Sequence, residues 1–186
     1  ERGRGWAGAV AGPGRGGAKR EGLGGAAERE VSKVRRKGSR AGMAMLDSDN
    51  CKTLDDPLGQ PTGDAALTNL ATVTREAMRP QDTLARYGGE EFILMLPNMP
   101  EEYAIPFANK LRMAVWDLAI PHLKSRIGKQ ISVSIGISTY DQGNKSSMLS
   151  LIDAADAALY KAKQNGRNQV FNIPLTTFSA RENHKT

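Results

Sequence analysis

The chain predicts an α/β sandwich, with helices laid against a mainly antiparallel sheet. Three observations carry that reading. Short apolar runs of strand length alternate with longer helical patterns, a Gly-Gly reversal joins two of the runs, and the order strand–helix–hairpin–helix–strand–helix fits a split βαβ arrangement.

Taken in order, a helix is expected from Ala27 to Lys37 and a strand from Gly42 to Leu46. Gly63 to Met78 reads as a helix because Leu67, Leu70, Ala71, Val73 and Thr74 fall on one apolar face. Thr83-Leu84-Ala85 and Ile93-Leu94-Met95-Leu96 flank Arg86-Tyr87-Gly88-Gly89-Glu90-Glu91-Phe92, a hairpin whose two glycines are expected to take positive φ at the tip. Pro100 to Leu118 is helical, with Ala104, Phe107, Ala108, Leu111, Val115 and Leu118 as its buried stripe. Ile131 to Thr139 alternates apolar and small polar residues, as a strand does. Ser147 to Asn165 forms the last long helix, stopped by Gly166, and Gln169 to Phe171 adds a short closing strand.

A length of 186 residues suits one domain with a sizeable core. The net charge of +6 suggests nucleic acid until it is located. Residues 1–40 carry eleven Lys/Arg against four Glu, and the remainder carries fifteen against sixteen acids. The basicity therefore belongs to one end and argues for neither DNA nor RNA as the partner of the folded body. Ten of the twenty glycines lie in residues 1–25, without apolar period, so 1–26 is expected to be a disordered Gly/Arg segment or linker. The domain is expected over 27–173, followed by a polar tail, 174–186. A single cysteine, Cys51, excludes an internal disulfide and suits a reducing compartment. No run approaches membrane-spanning length, so no membrane contact by this segment is expected.

Glu90 and Glu91 repel each other at the hairpin tip, and nothing in a hairpin requires both. A second acidic cluster, Asp47-Ser48-Asp49, directly follows the apolar run Met43-Ala44-Met45-Leu46, at the end of a buried strand, where open α/β sheets carry ligands. If those strands are neighbours, Asp47 and Glu90 converge on one divalent ion. Hard oxygen ligands without nearby His or Cys suit Mg²⁺ or Mn²⁺ rather than zinc. On these residues alone, a solvated acidic tip and a turn or cap at Asp47 and Asp49 stand as alternatives. Lys163 and Arg167, four apart at the end of the last helix, are expected to face one way. His122 and His184 are isolated and expected to face solvent, and Trp116 reads as packing.

Asp47-Ser48-Asp49, Lys52, Gly63-Asp64, Arg86 to Phe92, Ser134-Ile135-Gly136-Ile137 and Ala155-Asp156-Ala157-Ala158-Leu159-Tyr160-Lys161-Ala162-Lys163-Gln164-Asn165-Gly166-Arg167-Asn168 occur in a fixed order and spacing. In these blocks, from about residue 28 to residue 172, the chain resembles the GGDEF family of bacterial diguanylate cyclases, here with Glu90 as the third motif residue. The resemblance implies the ferredoxin-like palm of nucleotidyl cyclases. It implies condensation of two GTP molecules into cyclic di-GMP across a homodimer, with Mg²⁺ or Mn²⁺ as cofactor, in the cytoplasm or the cytoplasmic part of a larger sensor. Asp47, the Ser48 carbonyl and Glu90 correspond to metal ligands, and Glu91 to a catalytic companion. Lys52, Lys163 and Arg167 correspond to phosphate contacts, and Gly88, Gly89, Asp55 and Asp64 to the guanine site. Arg79-Pro80-Gln81-Asp82 matches the family's inhibitory site, where Arg79 and Asp82 would hold cyclic di-GMP. The chain departs from the pattern at Asp55, where Asn is common, at Asn50-Cys51, where an aromatic is usual, and at Gln60, where His is common. It also lacks the family's short opening element. These departures favour the alternative of a weak or inactive domain that binds GTP or cyclic di-GMP as a regulatory module.

Overall fold

The computed structural model describes residues 40–50, 60–140 and 148–175. The expected helix over 27–37, the terminal segments beyond these bounds, and Cys51, Lys52, Asp55 and His184 lie outside the described residues, as does the side chain of Asp64. In chain order the elements are β1 (Ala41–Ser48), α1 (Gln60–Ala77), β2 (Thr83–Arg86), β3 (Glu91–Pro97), α2 (Glu101–Trp116), β4 (Val133–Tyr140), α3 (Met148–Gln164) and β5 (Val170–Asn172). Among the described residues no helix is long and apolar enough to cross a membrane.

The five strands form one sheet in the order β2-β3-β1-β4-β5. β1 lies in the middle, antiparallel to β3 and β4, and β5 joins β4 in parallel. Thus β1–α1–β2 straddles β3, and β3–α2–β4 straddles β1. These are two interlocked split βαβ units, to which β4–α3–β5 adds an ordinary parallel one. The expected α/β sandwich is the observed fold, and the β4–β5 pair is the exception to its antiparallel rule.

The two-residue period of the strands sorts their side chains into two cores. Ala44 and Leu46 of β1, Phe92, Leu94 and Leu96 of β3, and Val133, Ile135 and Ile137 of β4 meet Leu70 of α1 and Leu111 and Val115 of α2. On the opposite face Met43, Met45, Ile93 and Met95 meet Leu151, Ala154, Ala155 and Leu159 of α3. The expected α2 stripe is buried at Ala104, Ala108, Leu111 and Val115, whereas Phe107 and Leu118 are only half-buried.

β4 explains its own composition. Where its odd-numbered residues feed the first core, Ser134, Gly136 and Ser138 turn toward α3 and are small. A Cβ on Gly136 would lie 2.1 Å from the Leu159 nitrogen and 2.2 Å from the Ala155 carbonyl oxygen. The glycine lets α3 rest directly on the sheet, and that contact sets the height of every side chain α3 presents.

Two local expectations are corrected. Gly88 and Gly89 do not take positive φ; among described glycines that conformation belongs to Gly128 and Gly166. The reversal is a four-residue loop, Tyr87 to Glu90, closed by the Tyr87 and Gly88 amides donating to the Glu91 carbonyl at 2.8 and 3.2 Å. The Arg86 guanidinium then donates to the carbonyls of Gly88 and Gly89, which holds the tip without a left-handed residue. His122 does not face solvent. It is 1 % exposed, and its Nε2 lies 2.9 Å from the Asn50 carbonyl oxygen. The partner is 72 residues away, which is why the sequence leaves this histidine looking isolated. Trp116 does serve packing: it covers Gly128, whose added Cβ would lie 2.5 Å from the ring.

Candidate active site

Asp47 and Ser48 are the last two residues of β1, not residues beyond it. Register places Asp47 opposite Glu91, the first residue of β3, and opposite Ser134 on the other side. Asp47 shares its face with Met43 and Met45, toward α3, and Lys163 in the last turn of α3 pairs with its Oδ2. The Asp47 side chain is 9 % exposed, and its Oδ1 is buried with no hydrogen-bond partner. Burial pushes the Asp47 carboxyl up to about 6 from an ordinary 3.8; the Lys163 ammonium opposes the shift, and the charges of Glu90 and Glu91 add to it. The strand end and the hairpin therefore do bring Asp47, Glu90 and Glu91 together, with one cation beside them.

A cleft of about 410 Å³ opens there, lined by Asp47, Glu91 and Lys163 and, from α3, by Asp153, Asp156 and Tyr160. The last three carry no role in the sequence reading. Their spacing relative to Lys163 was the available signal, because positions 153, 156, 160 and 163 follow one helical face.

An orphaned buried carboxylate oxygen with two further carboxylates nearby fits a divalent cation. Among the described residues no three His, Cys, Asp or Glu side chains are grouped closely enough to cage a metal unaided. The chemistry of the donor set is thus that of Mg²⁺ or Mn²⁺, which complete their shell from backbone carbonyls, water and substrate phosphate. Asp47, Glu90 and the Ser48 carbonyl are the groups that could hold it.

Asp49 is used differently. It is 1 % exposed and accepts hydrogen bonds from the Ser132 hydroxyl (2.8 Å), the Ser134 hydroxyl (2.7 Å) and the Asn168 amide (3.0 Å). Both oxygens are engaged, so of the Asp-x-Asp pair only the first acid is left with an oxygen that has no partner.

Arg167 requires a correction. α3 ends at Gln164, and the chain then turns through Gly166 (φ 115), Arg167 (φ 65) and Asn168 (φ 44). The Arg167 amide reaches back to the Ala162 carbonyl at 3.0 Å, a glycine-stopped helix end as expected. Lys163 and Arg167 are therefore not on one helix face; the turn, not the i,i+4 spacing, decides where Arg167 points.

Arg79 and Asp82 occupy the loop before β2 and bind each other. Nη2 of Arg79 donates to Asp82 Oδ1 at 2.7 Å, Nε at 3.1 Å, and the Arg79 amide to Oδ2 at 2.9 Å. Asp82's side chain is fully buried, whereas Arg79's is 31 % exposed and lies 5.9 Å over the Phe107 ring.

A ferredoxin-like palm with acids at the end of its central strand and on the adjacent hairpin defines the nucleotidyl-cyclase class. The family model "Diguanylate cyclase, GGDEF domain" matches residues 18–169, and the chain belongs to that family. It is 40 % identical over 126 residues to diguanylate cyclase A of Treponema denticola, covering 68 % of this chain and 33 % of that protein. It is 36 % identical over 128 residues to diguanylate cyclase DgcM of Escherichia coli, covering 69 % and 30 %. The chain thus spans about a third of the length of these relatives. Among solved structures, the GGDEF domain of DgcB from Caulobacter crescentus in complex with c-di-GMP superposes with a TM-score of 0.70 at 30 % identity, covering 82 % of this chain and 89 % of that one. The active GGEEF domain of a diguanylate cyclase from Vibrio cholerae gives 0.70 at 28 %, covering 82 % and 94 %.

Proposed function

We propose that this domain condenses two GTP molecules into cyclic di-GMP and pyrophosphate, one GTP held by each subunit of a homodimer. The observation that carries this reading is the buried Asp47 Oδ1, unpartnered beside Glu90 and Glu91, in a chain of the GGDEF family. Asp47, Glu90 and the Ser48 carbonyl would hold a divalent ion. When bound, that ion screens the triphosphate and acidifies the attacking hydroxyl. Each 3′ oxygen forms a bond to the α-phosphorus of the other GTP as the bridging bond to the β-phosphate breaks. Glu91 orients the site from across the strand pair. Lys163, with Lys52 and Arg167, would contact the phosphates, and it is the ammonium that now pairs with Asp47. Asp55, Asp64, Gly88 and Gly89 contact guanine.

The test is incubation with GTP and Mg²⁺ at high protein concentration. Cyclic di-GMP is the expected product. Ligand binding without product would favour the second reading, a regulatory module in the cytoplasm that binds GTP or cyclic di-GMP. Asp55 favours it, since a carboxylate cannot donate to guanine as an amide does, at a cost of roughly 1–3 kcal/mol.

A pH profile follows from the Asp47 carboxyl near 6. Below that value the ligand is protonated and neutral, so kcat/KM for GTP rises with pH through about 6 and levels off above it. Measured with Mg²⁺ far below saturation, so that the ion does not itself displace the proton, a profile flat from about pH 5 to 8 would remove Asp47 from the metal site.

Product inhibition is assigned to Arg79 and Asp82. Both Asp82 oxygens already accept from Arg79, so cyclic di-GMP must open this pair, trading one charge-assisted contact for another. Arg79→Ala is expected to raise the product concentration needed for half-inhibition by about tenfold or more. An unaltered inhibition curve would discard the site.

A further inference from the structure

The second acid of the Asp-x-Asp pair sits at the junction of three elements. Asp49 takes two hydroxyls from the chain leading into and along β4, Ser132 and Ser134, and its own amide donates to the Ser132 carbonyl at 2.8 Å. Its third donor is the Asn168 amide, beyond α3. Asn168 is gripped from the other side as well: Arg112 of α2 donates through Nη1 to its Oδ1 at 3.0 Å. Between α3 and this double anchor stand Asn165, Gly166 and Arg167. Arg167 and Asn168 are both left-handed, a conformation that non-glycine residues resist, so two such residues in a row persist only where their surroundings hold them. Arg167 itself is exposed, and its guanidinium has no partner among the described residues.

We infer that Asp49 is a positioning residue that fixes the Gly166-Arg167-Asn168 turn to the end of β1, so that Arg167 is presented to phosphate beside the strand end carrying Asp47. The two acids of the pair divide the work, one left open toward a cation and the other closed around the turn that carries the guanidinium. The inference rests on the proposed GTP site, and it deepens that reading by naming what aligns Arg167.

The test is a double-mutant cycle on Mg²⁺–GTP affinity, with Asp49→Asn and Arg167→Ala. Asparagine keeps the size of the side chain but weakens the grip on three donors. Asp49→Asn is expected to lower GTP affinity about tenfold, Arg167→Ala by a similar factor, and the double variant no further than Arg167→Ala alone. Amide exchange at Asn168 should accelerate in Asp49→Asn while the β1 amides remain protected. Losses that multiply, or an Asp49→Asn variant with wild-type affinity, overturn the inference. Should Asp49→Asn fail to fold, Arg112→Gln releases the same turn from its other side and carries the same expectation and the same contradiction. If GTP binds and the cycle is non-additive but no cyclic di-GMP forms, the reaction fails and the inference stands. A wild type that binds no GTP removes both.

Discussion

Asp47→Asn abolishes turnover, by about a thousandfold or more, and at the same time makes the domain harder to melt at neutral pH. The first effect follows from exchanging an anionic ligand for a neutral amide at the oxygen left open for the cation. The second follows from the direction of the pKa shift. Asp47 binds its proton more tightly folded, at about 6, than at the ordinary 3.8, so its favourable contribution is complete below about 3.8 and is lost as pH rises through about 6. At pH 8 the buried carboxylate is ionised and opposes folding. The shift, which already includes the opposing Lys163 pair, sets an upper bound of about 3 kcal/mol on the gain. Thermal melts of the two proteins should separate by a few degrees at pH 8 and coincide near pH 4. A variant less stable at pH 8, or active, would contradict this account of Asp47.

Gly136→Ala should destabilise the domain by about 3 kcal/mol or more, and Gly136→Val should prevent folding. The added methyl would meet backbone, Leu159 N and Ala155 O, not a flexible side chain that can swing aside. Relief requires α3 to lift from β4. That movement opens the core of Met43, Met45, Ile93 and Met95 and withdraws Lys163 from Asp47. Urea unfolding followed by circular dichroism measures the loss; an alanine variant with the wild-type midpoint would show that α3 does not rest on this glycine.

The elements were legible because β1, β3 and β4 carry strand-length apolar runs and the helices carry stripes such as Ala104, Ala108, Leu111 and Val115. The convergence of Asp47 with Glu90 and Glu91 was legible too, once the two apolar runs were taken as neighbouring strands. What escaped depends on long-range partners or on backbone conformation. His122 looks solitary until the Asn50 carbonyl is placed against it. Asp49 reads like Asp47 until Ser132, Ser134 and Asn168 surround it. Four-residue spacing misleads at Arg167, because helical geometry ends at Gln164. Gly88 and Gly89 suggested left-handed residues, yet Arg86 holds the tip through their carbonyls instead.

The central claim, one divalent ion shared by the end of β1 and the hairpin, is tested most directly by Mn²⁺ titration followed by electron paramagnetic resonance, in the presence of GTP. Wild-type protein should take up Mn²⁺ that Asp47→Asn and Glu90→Gln each fail to retain, with both variants folded. Mn²⁺ binding left unchanged by either substitution would contradict the claim.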